Sequence, residues 1–484
     1  MIERKGARTA RVGIFGVGHK TYWDQFEGLL ENLMGYYSVF ADMVRANDVE
    51  VVDFGMADDS ISAYRIMDEM KAGKLDLVFC DMLTYATSSS FAPIIRNLDI
   101  PLVLVALQPL PAMDYTKACT FMQLENDNIC SVPEFTGVAV RMGRKVDDVI
   151  IGTLYDDDRV ETELREWCEI AKVLHDLKKA RIGLMGHVLE AMYDMHADPV
   201  AITAAFGLHV PLLEVDDLIK LYNMVTEKEI EAKITLIRQE FDMPYPKTDP
   251  LTIKLTDSDL LQAAHSSVAL DKLVEEYQLT GLAYYYEGQE NSLHRIITSS
   301  LIVGNSILNA QGIPMCGEYD IKTCIAMLIM DRLNIGGSFA EFHPFDFAQD
   351  YILVGHDGPH HIAIAEGKPV LRSLVKYHGK PGSGASVEFK LKEGPITMLG
   401  LTLNAQGGFK FVIGEGISQK GPIPPTGNTN TRGFFAPNTR DFIKAWVMEG
   451  PTHHYALGIG HHANTLKKIG DILGIESIII DACQ

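Results

Sequence analysis

Over roughly the first 170 residues, apolar runs of strand length alternate with longer amphipathic stretches, and few folds accommodate that alternation. A strand joined to a parallel neighbour needs a crossover of about a dozen residues or more, which an amphipathic helix provides. Candidate strands lie at residues 12–15, 51–54, 75–80 and 102–107, with helical spacing at 24–46 and 60–72 between them. The expected product is a doubly wound parallel sheet, with ligands gathering at the carboxyl ends of its strands.

A second unit of the same kind begins near Lys178. Residues 181–185, 209–215 and 281–286 read as strands, and 198–206, 227–241, 258–277 and 292–310 as helices. Past Gly336 the texture changes to short, glycine-punctuated alternating segments at 351–355, 361–365, 386–391, 396–403 and 409–414, the pattern of an antiparallel sheet or barrel. A helix at 438–449 and a βα-like tail at 463–480 follow. The expected class is α/β, with two doubly wound parallel-sheet domains, 1–175 and 176–325, and a β-rich, barrel-like C-terminal domain, 326–484.

Charge and cysteine content narrow the partners. The 64 acidic residues outnumber the 43 basic ones, and the resulting charge of -21 repels phosphate backbones and anionic lipid, so neither nucleic acid nor membrane is expected. The odd count of 7 cysteines, with no CxxC pair, fits a reducing compartment, and the cytoplasm is the expected location. The basic start leads into a short apolar run at 12–17 without a small-residue cleavage site, so no targeting segment is expected. The apolar windows at 100–113 and 296–308 are interrupted well before the ~18–20 residues of a membrane span.

Histidine supplies the chemistry. Nine of the 16 histidines follow residue 340, in the company of Glu318, Glu341, Asp346 and Asp357. Imidazoles with carboxylates suit Mn²⁺, Co²⁺ or Zn²⁺ in an open, catalytic type of site, whereas structural zinc favours paired cysteines. Taken singly, each histidine reads more readily as a solvated loop residue or a satisfied core group than as a ligand. Cys316-Gly317-Glu318-Tyr319-Asp320 puts two acids on a tight connection, where either also suits the cap of the next helix. Phe339-Ala340-Glu341-Phe342-His343 sets an acid among aromatic residues, Gly355-His356-Asp357 ends a strand, and Gly450-Pro451-Thr452-His453-His454 follows the last long helix.

In order and spacing, Gly317-Glu318-Tyr319-Asp320 with Lys322-Thr323, Ser338-Phe339-Ala340-Glu341, Gly355-His356 and Gly450-Pro451-Thr452-His453-His454 resemble the L-arabinose isomerases, within the wider L-fucose and L-arabinose isomerase group. Upstream, Gly183-Leu184-Met185-Gly186-His187, Met192-Tyr193-Asp194-Met195, and Phe206-Gly207 with Glu214 and Asp216-Asp217-Leu218 resemble the same group. The resemblance implies a metal-dependent aldose–ketose isomerase using Mn²⁺, or Co²⁺ or Mg²⁺, and converting L-arabinose to L-ribulose and D-galactose to D-tagatose. It implies Glu318, Glu341, His356 and His454 as metal ligands in a site that the C-terminal domain completes. Of the adjacent histidines the resemblance favours the second as ligand, with the first as the alternative; His453 is otherwise implied as a neighbour contacting substrate or orienting the ligand, and Met185 as a substrate contact. The implied mechanism passes through a cis-enediol, with Glu318 and Glu341 as the acid/base pair and the metal on O1 and O2. Residue chemistry is consistent with this, because moving hydrogen from C2 to C1 needs a base, an acid and a cation to stabilise the enediolate.

The departures concern substrate. Where the resembled family has a glutamine after the first strand, this chain offers His19 or Lys20. The position four residues before Glu134-Phe135, a histidine in the family, is Cys130, and a thiol cannot replace imidazole as a strong hydrogen-bond partner. L-fucose or another aldose is therefore the alternative substrate, a metal-dependent epimerase the alternative chemistry, and a non-catalytic sugar-binding protein the alternative class. No nucleotide is expected: Gly13-Ile14-Phe15-Gly16-Val17-Gly18 lacks the GxGxxG placement after a strand, and His19 separates Gly18 from Lys20-Thr21. The expected partner is a monosaccharide. The resemblance further implies a homo-oligomer, a trimer or hexamer, in which the loop at 126–133 reaches a neighbour's pocket.

Overall fold

The alternation at the start of the chain becomes a five-stranded parallel sheet. Its strands are β1 (Arg11–Val17), β2 (Glu50–Ala57), β3 (Leu77–Met82), β4 (Leu102–Gln108) and β5 (Asp148–Thr153), in the order β2-β1-β3-β4-β5. This computed structural model describes residues 2–188, 192–244, 253–374, 376–377 and 380–481. They fall into two compact units, Arg8–Asp176 and Met1–Ala7 with Leu177–Gln484. Helices Leu29–Arg45 and Ser60–Gly73 connect the first strands. The former starts later than its apolar spacing predicts because Gly28, at φ 85°, turns the chain just before it. Strand β5 escapes a periodicity reading because it is an edge strand in which only Ile150 is buried. Phe15, Val78, Leu104 and Phe135 lie in the core of this unit.

The second unit holds a four-stranded parallel sheet of β6 (Ile182–Met185), β7 (Leu212–Leu213), β8 (Gly281–Tyr284) and β9 (Met315–Cys316), in the order β7-β6-β8-β9. The strand expected over 209–215 shrinks to two residues. Pro211 has no N–H to donate to a ladder, and Glu214 already caps helix Val215–Asn223. The helix expected over 292–310 is two helices, Leu293–Ser299 and Ile302–Ala310. They part where the Ser300 hydroxyl turns back on the Ile296 carbonyl and contacts Ser383.

The same unit continues through β10 (Gly336–Asp346) and β11 (Tyr351–Gly355) into four short strands, β12 (Val370–Ser373), β13 (Lys376–Tyr377), β14 (Lys380–Pro381) and β15 (Ala385–Glu388). After these come β16 (Gly394–Leu403), β17 (Phe409–Ser418), β18 (Thr431–Phe434), β19 (Tyr455–Ile459) and β20 (Glu476–Ile479). Strands β16-β19-β10-β11-β18-β17 pair antiparallel in that order, and β17 pairs back to β16, closing a six-stranded barrel that β20 extends in parallel. Closure leaves the barrel almost no free edge. Residues 361–365 are a one-turn helix, Ile362–Ile364, instead of the expected strand. The expected class, α/β with a β-rich barrel-like C-terminal part, is the observed one. Helix Ile321–Arg332, buried along its whole length, runs from β9 to β10 and so links the parallel sheet to the barrel.

Candidate metal centre

Strand register sets the site. Strand β10 pairs with β19 through Ala340↔Tyr455 and with β11 through Glu341↔Gly355. His454 immediately precedes β19 and His356 immediately follows β11, so the two histidines flank Glu341 at the middle of β10, where its pairing passes from β19 to β11. Glu318 arrives from the parallel sheet, two residues past β9. Its backbone is left-handed (φ 60°), as is that of Tyr319 (φ 64°), and the Tyr319 N–H donates to the Tyr284 carbonyl at 2.9 Å, tying the turn to β8.

The four side chains converge. His356 Nε2 lies 3.7 Å from Glu318 Oε1 and 4.0 Å from Glu341 Oε1, and His454 Nε2 lies 3.5 Å from Glu318 Oε2. One ligand atom from each of Glu341, His356 and His454 falls within 4.8 Å of the others, and the same is true of Glu318, His453 and His454. Glu318, His356 and His454 are buried, whereas the Glu341 side chain keeps 27% exposure and is open to an incoming molecule.

Hydrogen bonds behind the histidines fix which nitrogen faces inward. His356 Nδ1 donates to the Asp357 carbonyl at 2.9 Å, leaving the Nε2 lone pair toward the carboxylates. His454 Nδ1 meets Asp320 Oδ2 at 3.1 Å, with both side chains fully buried. Asp320 also caps helix Ile321–Arg332, accepting from the Thr323 N–H at 3.0 Å and from the Thr323 hydroxyl at 2.7 Å. Of the two acids suited to that cap, Asp320 takes it, and Glu318 is left for the cluster. Among the described residues the buried atoms Glu318 Oε2 and His454 Nε2 make no hydrogen bond, the His453 Nε2 standing 3.9 Å from the former. Two acceptors facing each other with nothing donated between them are what a cation satisfies, so two imidazoles and two carboxylates fit a divalent ion.

Electrostatics follow from the crowding. Burial pushes the Glu318 carboxyl up, but the imidazole of His453 and the neighbouring rings of His356 and His454 outweigh it and leave the group below its ordinary value. His356 is pushed down, first by burial and then by His454. His453 is lowered by burial but raised more by Glu318 and Asp194, to about 9. A narrow cleft opens beside Glu318 and His356, with Tyr284, Tyr286, Thr298 and Asp357 in its wall.

The other anticipated contacts are placed as follows. His453 stands next to the cluster, its Nε2 3.9 Å from Glu318 Oε2. Met185 is fully buried at the carboxyl end of β6, in the apolar core of its sheet. His19, Lys20 and Cys130 belong to the N-terminal unit. There the His19 ring packs edge-on against Tyr22 at 4.9 Å, Lys20 Nζ donates to Asp59 at 2.6 Å, and Cys130 is exposed. Three residues of the site have no role in the sequence reading: Asp194 beside His453, Asp320 as the partner of His454, and His343, whose buried Nε2 lies 3.8 Å from Glu341 Oε1. Asp194 and Asp320 stand inside motifs already singled out, but each lies more than a hundred residues from the histidine it holds, so spacing along the chain does not pair them.

Comparisons with known proteins point to one family. The model of the L-arabinose isomerase central domain matches residues 185–336, which include Asp194, Glu318 and Asp320. An L-arabinose isomerase from Pectobacterium atrosepticum is 22% identical over 360 residues, covering 72% of this chain and 69% of that protein. Those from Nocardioides sp. and Flavobacterium johnsoniae are 25% identical over 362 residues and 24% identical over 372, covering 72% and 75% of this chain and 69% and 71% of theirs. The solved ligand-free, open structure of a substrate binding protein with adhesive properties from Clostridium difficile covers 67% of this chain and 95% of its own, but at 13% identity and a TM-score of 0.17. These three relatives carry the same name as the matched domain, and over some three quarters of its length the chain is similar to the L-arabinose isomerases.

Proposed function

We propose that this site converts an aldose to its ketose, with L-arabinose to L-ribulose the first candidate and D-galactose to D-tagatose the second. The observation that carries the reading is the pair of partnerless buried acceptors, Glu318 Oε2 and His454 Nε2, inside a cluster of two carboxylates and two imidazoles. We assign Glu318, Glu341, His356 and His454 as ligands of Mn²⁺, with Co²⁺ or Mg²⁺ as substitutes. When bound, such an ion polarises a carbonyl and stabilises the charge of an enediolate. Glu318 and Glu341 reach the cluster from different sheets and act on opposite sides of the C1–C2 unit. One carboxylate takes the proton from C2 while the other protonates O1, giving the cis-enediol. The first then returns its proton to C1 as the O2 hydroxyl gives its own to the second. His453, beside Glu318, donates to a substrate oxygen.

A second substrate reading, L-fucose or another aldose, is favoured by Lys20 and Cys130 standing where the resembled family carries glutamine and histidine. The assembly that goes with this reading is a homo-oligomer. The test is metal-stripped protein reloaded with Mn²⁺ and offered a panel of aldopentoses and aldohexoses while ketose is measured. Metal-dependent ketose, most of it from L-arabinose, is the expected result. Ketose formed without metal, an epimeric aldose as product, or binding without turnover contradicts the reading.

A further inference from the structure

Each of the adjacent histidines is gripped by its own carboxylate. His454 is held by Asp320, and His453 by Asp194, 259 residues earlier in the chain. A single oxygen of Asp194, Oδ2, accepts from both the His453 backbone N–H at 3.1 Å and ring Nδ1 at 2.6 Å. A bond to the backbone and one to the ring of the same residue together fix χ1 and the ring plane. The grip matters because the His453 side chain is 37% exposed, and the His454 ring, 3.8 Å away between centroids, covers it on one side. Its free nitrogen, Nε2, is thereby aimed at Glu318.

Asp194 in turn needs an anchor. It sits in the one-turn helix Tyr193–Met195, is 40% exposed, and follows Tyr193, which is exposed as well. Lys322 provides the anchor: its ammonium donates to the Asp194 carbonyl and, at 3.2 Å, to the His196 carbonyl. Lys322 is 1% exposed. A cation that deep is costly unless its hydrogen bonds are made, and an apolar side chain in the same helix would bury without that cost. Lys322 is two residues past Asp320, in the first turn of helix Ile321–Arg332.

We propose that Asp194 is the positioning residue of His453 and that Lys322 acts through Asp194. The N-cap and first turn of one buried helix then govern both histidines, Asp320 directly and Lys322 by way of residues 192–198. The consequence for turnover rests on the isomerase reading, whereas the consequence for the ring does not.

Two measurements test this on the full-length chain. In steady-state assays with Mn²⁺, Asp194→Ala lowers kcat by about 10–100-fold, the usual effect of removing a group that orients a site residue, with bound metal unchanged. Asp194→Asn, which keeps an acceptor, lowers it less. Lys322→Met lowers kcat, and the double variant is no worse than Asp194→Ala alone, because both act on one ring. A kcat for Asp194→Ala within twofold of wild type, or effects that multiply in the double variant, overturns the proposal. Crystals of the metal-free proteins give the second readout: the His453 ring leaves its place beside Glu318 in Asp194→Ala. A ring that stays overturns the proposal whatever the kinetics show. Wild-type protein that forms no ketose would defeat the isomerase reading alone, and the crystals would still decide the role of Asp194.

Discussion

Glu318 and Tyr319 occupy the left-handed backbone region, which costs a non-glycine residue ~1–2 kcal/mol. Strain of this kind persists where the surroundings over-determine it and is concentrated at working sites. Here it turns the Glu318 carboxylate out of β9 toward the histidines, while Asp320 turns into the helix cap. Glu318→Gln and Glu341→Gln each keep shape but lose the base, so each is expected to lower kcat by about 10²–10⁴-fold. Substantial ketose formation surviving in either variant argues against the assigned pair. His360 behaves differently. It is fully buried, its Nε2 lies 3.1 Å from the Val387 carbonyl, and burial holds it down at about 4. The folded chain therefore keeps this ring neutral where the unfolded chain, titrating near the ordinary 6.5, takes up a proton. The stability involved is fully present above pH ~6.5 and is lost as pH falls toward ~4, to a total of about 3 kcal/mol. His360→Gln should flatten that part of the acid limb in urea titrations compared across pH. An acid limb parallel to that of wild type contradicts the assignment.

At the scale of elements, the site depends on β10 keeping its register between β11 and β19, since one residue of slip turns Glu341 to the other face. Gly355 is the sensitive point. A Cβ there would lie 2.4 Å from the Asn428 carbonyl oxygen and 2.6 Å from the Asn430 nitrogen, both backbone atoms that cannot swing aside. Gly355→Ala is expected to cost about 1–3 kcal/mol and, by moving His356, to weaken Mn²⁺ binding in calorimetry. Wild-type stability and affinity in that variant would show that the strand end is loose. The same strands show where sequence reading stops. The fully alternating or apolar runs at β1, β4 and β16 are legible by period alone. Strand β10 opens on two glycines and changes from buried to half-exposed midway, and β19 is five residues between a proline-histidine turn and a glycine, so neither has a readable period. His356 and Glu341 stand out as chemistry in the sequence, but the carboxylates that hold the last pair of histidines, Asp194 for His453 and Asp320 for His454, lie more than a hundred residues away.

Over the whole molecule, the fold class is legible because helix and strand periods are local properties, whereas the candidate centre is assembled from four segments spread over 137 residues, from Glu318 to His454. Resemblance to a family names those residues, but their proximity comes from barrel closure and from the buried helix joining the barrel to the parallel sheet. All four segments lie in one compact unit, so the cluster does not depend on how that unit meets the other. The most direct measurement is anomalous diffraction from crystals of the intact chain soaked in Mn²⁺. The account predicts a single strong peak at about 2.0–2.3 Å, ordinary metal–ligand distances, from Glu318, Glu341, His356 and His454. A peak bonded to other side chains, or none at this cluster under saturating Mn²⁺, would contradict it.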